Sequence, residues 1–462
     1  MVREYIKTKN VALIIVCIFI VCWILKSMYT DKQWQTNHSA ISSDVIWYYE
    51  YLPVIFIYHD YAMSYAENYN KIHKTEFFYF RTLTNHKNII KMSMGMAMLY
   101  SPFFFMAHGF AHIFGYNTGG FSEPYSFAIV FASLAYFIFG LFFLSKLLLK
   151  YVNQYVASLV LLFIVFGTNL YYYITYCPGF SHHFNFTLIV MFLWYTIKWH
   201  ETKTIKNTII LGVLAGLISL IRPTNTVVLL SFILWDIKSI KDCILRLKLL
   251  LIEYKLITLM IFICLLFWIP QCLYWKYVSN TYFFYSYTHE HFYFNNPHIV
   301  KGLIGYRKGW LIYSPVMILS VIGQFFLLKK YKEFVLSILL IECLFVYIVF
   351  SWWCWWYGGS FGMRAMIDIY GLLAIPMAIF IQEIFRMKRL MKIPLICISL
   401  LLFIAGIHNL NKYLSGSIHY DSMTKEAFWD SYLSIHPTAS FYTKLKSPEL
   451  QKALTGQEET QY

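Results

Sequence analysis

A chain of 462 residues that is 59% hydrophobic, 20% aromatic and only 13% charged, with a mean hydropathy of +0.54, carries too little polar surface for a soluble globule. It reads as an all-α polytopic integral membrane protein. The formal net charge of +15 calls for no nucleic-acid partner, because lysine and arginine collect in short connections between apolar runs, where they anchor a membrane protein.

The first apolar run, Val11 to Leu25, has no small-residue cleavage site behind it and predicts a retained helix near 10–28. Residues 29–95 are too polar for lipid yet rich in aromatics. They include Ser43-Asp44-Val45-Ile46-Trp47-Tyr48-Tyr49-Glu50-Tyr51-Leu52-Pro53, where carboxylates stand between rings as a surface site for a polar substrate would need. The run Met94 to Phe114 is apolar but interrupted by Ser101-Pro102, His108, Gly109 and His112, and is expected to lie flat at the interface. Further spans are expected near 124–146, 154–175, 184–200, 205–222, 224–237, 256–275, 309–328, 333–353, 366–384 and 393–410, about eleven transmembrane helices in all. The expected organisation is a transmembrane domain over 1–410, including an extracytoplasmic loop at 29–123, and a polar extracytoplasmic tail at 411–462. The nine cysteines mostly lie in apolar runs, as Cys17, Cys22, Cys264, Cys272, Cys343 and Cys397 do, with no C-x-x-C pair, and read as small packing residues.

Loop charge sets the orientation. With Arg3, Lys7 and Lys9 cytoplasmic, the inner connections hold Lys146, Lys150, Lys198, Lys203, Lys206, Lys238, Lys241, Arg246, Lys248, Lys255, Lys329, Lys330, Lys332, Arg386, Lys388, Arg389 and Lys392. The outer ones after the first loop hold Arg222, Lys276, Lys301, Arg307, Lys308 and Arg364, a bias of roughly three to one in the sense of the positive-inside rule. Asn225 to Asp236 is short for a crossing, but lysines flank the pair of segments around Arg222 at both ends, so the parity holds either way.

On this topology the chemically rich segments share the outer face. They are the Asp44 loop, Tyr176-Cys177-Pro178-Gly179-Phe180-Ser181-His182-His183, the corner Ile221-Arg222-Pro223-Thr224-Asn225, Tyr285-Ser286-Tyr287-Thr288-His289-Glu290-His291, Gly305-Tyr306-Arg307-Lys308-Gly309-Trp310, and Trp352-Trp353-Cys354-Trp355-Trp356-Tyr357-Gly358-Gly359-Ser360-Phe361-Gly362-Met363-Arg364. The tryptophans suit an interfacial belt as well as sugar stacking, and the three glycines after them suit a tight bend. His289-x-His291 and His182-His183 could ligate a metal, but with no Asp-x-Asp motif and no second carboxylate cluster none is expected.

A single helix, a long outer loop with an early acidic residue, and many following spans resemble the GT-C superfamily of polyprenyl-phosphate-sugar glycosyltransferases over most of residues 1–410. Asp44-x-x-x-Tyr48-Tyr49-x-Tyr51-Leu52-Pro53 and Gly216-Leu217-Ile218-x-Leu220-Ile221-Arg222-Pro223-Thr224-Asn225 are similar to its bacterial mannosyl-, arabinosyl- and galacturonosyl-transferring members. No Asp-Glu pair follows the first helix, so the acceptor need not be a protein hydroxyl. The resemblance implies a multi-pass cell-membrane enzyme of the bacterial envelope, with a cytoplasmic N-terminus and an outer site. It would need no cofactor, and would meet membrane lipids, a polyprenyl-phosphate-linked sugar donor and a lipid, glycan or protein acceptor.

An acceptor hydroxyl must lose a proton as the new bond forms, and the resemblance gives that role to Asp44, with Glu50 and Asp60 as the next choices. Asp44 could instead cap the helix beginning at Val45. The leaving phosphate calls for cations, and arginine grips two oxygens at once. Arg222 and Arg307 come first, then Lys308 and Arg364, each open to the alternative of lipid-headgroup contact. Tyr48, Tyr49, His289, Glu290, Trp356 and Tyr357 are the candidate substrate contacts. Glu342, in mid-span, reads as protonated or bonded to a neighbouring helix. The rival readings are a non-enzymatic flippase or exporter of lipid-linked glycans, which would want polar spans and related halves, and a polysaccharide polymerase or ligase, whose large outer loop would come late in the chain.

Overall fold

The computed structural model describes residues 10–35, 40–73 and 77–457. Arg3, Lys7 and Lys9 lie outside the described residues. The chain is helical apart from one short hairpin in the first loop, where Arg81 pairs with Ile89 and Thr82 with Asn88.

The helices that position the site are α1 (Val11–Asp31), α2 (Asp44–Tyr49), α3 (Gly95–Phe114), α4 (Glu123–Leu149), α5 (Gln154–Phe166), α6 (Ser181–Glu201), α7 (Ile205–Ile221), α8 (Tyr254–Ser279), α9 (Lys332–Phe350), α10 (Arg364–Arg386) and α11 (Arg389–Leu414). Polar caps begin several of them. Asn153 accepts from the Tyr155 and Val156 N–H groups ahead of α5, and Thr204 from the Asn207 N–H ahead of α7. Close packing follows from small residues. Gly212 and Gly216, one turn apart on α7, leave room for the Met260 and Cys264 carbonyls of α8, where a Cβ would stand 2.8 and 2.9 Å from those oxygens.

Six described helices, α1, α4, α8, α9, α10 and α11, are long and apolar enough to cross a membrane. The apolar window of α10 is 94% buried, which makes it the central helix, whereas those of α8 and α11 are 11% buried. Outward-facing Ile261, Phe262 and Leu265 on α8 are costly in water and at no cost against lipid tails.

The expectation of about eleven full spans needs correction to this coarser picture. The segments at 154–175, 205–222 and 224–237 form the shorter helices Gln154–Phe166, Ile205–Ile221 and Pro223–Leu234. The segment at 184–200 lies in α6, which is long but carries His182, His183, Asn185 and Thr187. The segment at 309–328 is broken at Ser314-Pro315 into Trp310–Tyr313 and Ile318–Lys330. Hydropathy windows count apolar residues and do not register such breaks.

The segment Met94 to Phe114 is helical and is not among the helices long and apolar enough to cross a membrane. Its helix, α3, runs antiparallel along the first half of α4. The Tyr136 hydroxyl donates to the Leu99 carbonyl at 3.4 Å, Phe103 meets Phe131 and Tyr136, and His108 bonds Tyr125. Side-chain contacts with α4 therefore hold this helix along its length despite the polar interruptions.

The basic connections meet at one end of the bundle. Lys150 and Lys198 both bond Glu201, Lys330 lies 2.5 Å from Glu383, and Arg246 donates to the Trp235 carbonyl at 2.8 Å. The motif-bearing loops meet at the other end, joined by residues 415–457, whose short helices Lys425–Asp430 and Leu450–Leu454 pack on them.

Candidate active site

Asp44 is the first residue of α2. Ser43 before it has φ 52° and ψ −129°, a conformation that costs a non-glycine residue energy and so marks a backbone held by its surroundings. No side chain caps this helix, so the alternative in which Asp44 serves as its cap does not describe its contacts. The α2 backbone is pressed onto the turn before α6, where a Cβ on Gly179 would lie 2.4 Å from a Val45 methyl. One turn along α2 from Asp44, the Tyr48 hydroxyl lies 3.2 Å from Ser181 Oγ.

This docking delivers the Asp44 carboxylate to Arg364, with Oδ2 2.8 Å from Nη1. Arg364 opens α10 in a 3₁₀ turn, and its guanidinium lies over the Phe180 ring at 5.2 Å. Its Nε–H is buried without a hydrogen-bond partner, the kind of unsatisfied donor that a bound anion would fill. Four residues further along, Asp368 is fully buried. It accepts from His182 Nδ1 at 2.8 Å and Asn225 Nδ2 at 2.8 Å, and pairs with Arg222 Nε at 3.4 Å. Arg222 in turn covers the Tyr357 ring at 5.6 Å.

The first loop, the turn before α6, the corner after α7 and the start of α10 thus place two carboxylates, two guanidiniums and an imidazole together. Beside them Glu290 accepts from Lys91 and Arg81, each at 2.6 Å, and from Trp353 Nε1 at 3.1 Å. Burial pushes the Asp44 carboxyl up, but the charges of Arg364 and then Lys91, with the Arg364 hydrogen bond, outweigh it and hold the group below its usual range. Asp44 is therefore ionised at neutral pH. Its side chain keeps 31% exposure, against 12% for Arg364 and 0% for Asp368, so it is the carboxylate of the group that a substrate can reach.

The other residues singled out by sequence lie elsewhere. Glu50 is fully buried and accepts from the Tyr79 N–H at 2.9 Å, with burial holding its carboxyl well above the usual range. Asp60 caps its own turn by accepting from the Ser64 N–H at 2.9 Å. Neither joins Asp44. Arg307 donates to the carbonyls of Asp421 at 2.8 Å and Lys446 at 3.3 Å, and its guanidinium lies over Trp356 at 5.6 Å. Lys308 donates to the carbonyls of Ser360 and Tyr420. Both hold the C-terminal segment in place. The buried Tyr49 bonds the Gly120 carbonyl, and His289 is exposed. In the glycine stretch, Gly358 and Gly362 have φ of 67° and 59°, the left-handed bends that the three glycines suggested. All nine cysteines are free.

Sequence reasoning missed Asp368, Lys91 and the role of His182. Asp368 had one signal, an isolated acid among apolar residues one turn beyond Arg364.

Two apolar clefts flank α3. One, of about 540 Å³, is lined by Tyr51, Leu52, Phe56, Met94, Pro270 and Tyr274, and the other, of about 430 Å³, by Trp34, Phe103, Phe110, Tyr116 and Phe127. The charged residues lie outside both linings, but the first cleft is joined to them through the chain. Tyr51 follows α2 directly, and Ser93 Oγ, ahead of α3, donates to the Leu220 carbonyl two residues before Arg222. No family model matches the chain, and no curated protein is significantly similar to it.

Proposed function

We propose that the chain is a membrane glycosyltransferase of the GT-C type, moving a sugar from a polyprenyl-phosphate donor to a hydroxyl acceptor at the extracytoplasmic face. The observation that carries the reading is the meeting of a reachable, ionised Asp44 with Arg364, with Arg222 and Asp368 alongside. In the reaction Asp44 takes the acceptor's proton as the acceptor oxygen bonds to the anomeric carbon. The bond from that carbon to the phosphate oxygen breaks, and the polyprenyl phosphate leaves with the electron pair, its charge met by Arg364 and Arg222. Arg364 neutralises Asp44. A donor phosphate competes for the same guanidinium and frees the carboxylate as the substrate arrives.

The apolar cleft lined by Tyr51, Met94 and Tyr274 suits an isoprenoid chain and supports a lipid-borne donor. The loop charges support a cytoplasmic basic end and an outer motif-bearing end, with the three shorter apolar helices, α6 and the helix Ile318–Lys330 completing eleven passages beside the six long ones. A flippase is disfavoured because the charges gather at one end instead of along a path through the spans.

The test is sugar transfer in vitro from a panel of labelled polyprenyl-phosphate sugars, comparing the natural chain with Asp44→Asn. Turnover should fall at least about a hundredfold, the scale of a lost general base, while the melting curve shows a folded protein. Near-normal transfer by the variant removes Asp44 from the chemistry.

A further inference from the structure

Two histidines near the end of α3 take no part in the chemistry above. His108 and His112 are one turn apart on a single face of the 20-residue helix, and their Nε2 atoms stand 3.3 Å from each other with the rings close to perpendicular. A tetrahedral ion with metal–nitrogen bonds of about 2.0–2.1 Å sets two of its ligands about 3.3–3.4 Å apart. The two nitrogens already occupy one edge of that tetrahedron.

The surroundings offer a partner for the protonation that such an ion needs. The Tyr125 hydroxyl lies 2.5 Å from His108 Nδ1 and 3.2 Å from the Thr118 carbonyl, so it can accept from the imidazole while its own proton goes to the carbonyl. In that arrangement His108 carries its proton on Nδ1 and turns the Nε2 lone pair toward His112. A ligating histidine is commonly oriented in this way, by donating its other ring proton to a second group. The His108 ring also lies parallel to Phe104, at 5.9 Å, which restricts its rotation. Both residues sit in the last two turns of α3, where the negative end of the helix dipole favours a cation. His112 is exposed, which leaves an entry path.

We propose that His108 and His112 form a two-histidine site for a divalent transition-metal ion of the Zn²⁺ or Cu²⁺ class, with water completing the coordination. On loading, both rings bind through Nε2 as neutral ligands with their protons on Nδ1, and the ion staples the end of α3. No group of three or more His, Cys, Asp or Glu side chains gathers as a metal site among the described residues. The inference is independent of the glycosyl-transfer reading.

The test uses the full-length chain in detergent, stripped with a chelator and titrated with Co²⁺ while its visible absorption is followed, then with Zn²⁺ in competition. One equivalent should bind to the natural chain and to His289→Gln, and none to His108→Gln or His112→Gln at the same concentrations. Tyr125→Phe should weaken binding about tenfold or more through loss of the orienting contact. Melting curves of the metal-free variants establish that they are folded. Full stoichiometry in the double histidine variant, or no binding to the natural chain at millimolar Zn²⁺, overturns the proposal.

Discussion

Asp44 Oδ2 and Arg364 Nη1 lie 2.8 Å apart, and through this contact the first loop closes on the start of the central helix. The guanidinium holds the carboxylate ionised and occupies it, so each residue's chemistry is legible in the behaviour of the other.

Replacing Arg364 by Gln should therefore change two quantities at once. The donor KM should rise about tenfold or more from the lost grip on phosphate. The acidic limb of the pH profile of kcat/KM should also move to higher pH, because Arg364 is the leading influence holding Asp44 low. A raised KM with an unmoved acidic limb would separate Asp44 from the ionisation that governs the rate.

Asp368 compensates Arg222 and fixes His182 in a fully buried position. Asp368→Ala leaves a mostly buried guanidinium without its counter-charge and should destabilise the fold by about 3–5 kcal/mol. Denaturant titration in detergent measures it. Asp368→Asn, which keeps the volume, should recover part of the loss.

Glu50 gives a prediction of opposite sign. Its folded carboxyl is held well above its usual value by burial, so the native chain keeps a proton that the unfolded chain releases. Its contribution to stability is full below about pH 4.3 and declines as pH rises through the folded value. Glu50→Gln keeps the acceptor for the Tyr79 N–H and removes this decline. The variant should melt higher than the natural chain at neutral pH and equally near pH 4, with sugar transfer retained.

Arg307 is a clasp in this structure. Arg307→Ala removes its hydrogen bonds to the Asp421 and Lys446 carbonyls, each worth about 1.5–3 kcal/mol for a charged donor, and should expose residues 415–457 to protease. Timed proteolysis followed by mass spectrometry reads the effect. An unchanged cleavage rate would show that the tail is held by other contacts.

Helical character and the gathering of motif loops at one end were legible in the sequence, because apolar periodicity and lysine placement report on lipid and charge directly. Asp44, Arg222 and Arg364 stood out as charged residues at loop corners. Glu50 could not be told apart from Asp44, since both lie in the same aromatic stretch and the rotation of a short helix decides which one faces Arg364. Asp368 was hidden among apolar neighbours, its meaning supplied by three partners from distant segments. Arg307 ranked high by charge alone, and what it grips are backbone carbonyls, which composition does not register. The breaks that reduce the long spans to six depend on how Ser314-Pro315 and the polar first turns of α6 pack.

The union of Asp44 with Arg364 also orders events during biogenesis. At about 5–20 residues per second, on the order of tens of seconds of translation separate the two side chains as they leave the ribosome. Throughout that interval the nascent polypeptide holds a carboxylate with no counter-ion and no pocket around it. On the proposed glycosyl-transfer reading, the site is therefore complete only once the helix bearing Arg364 has been made.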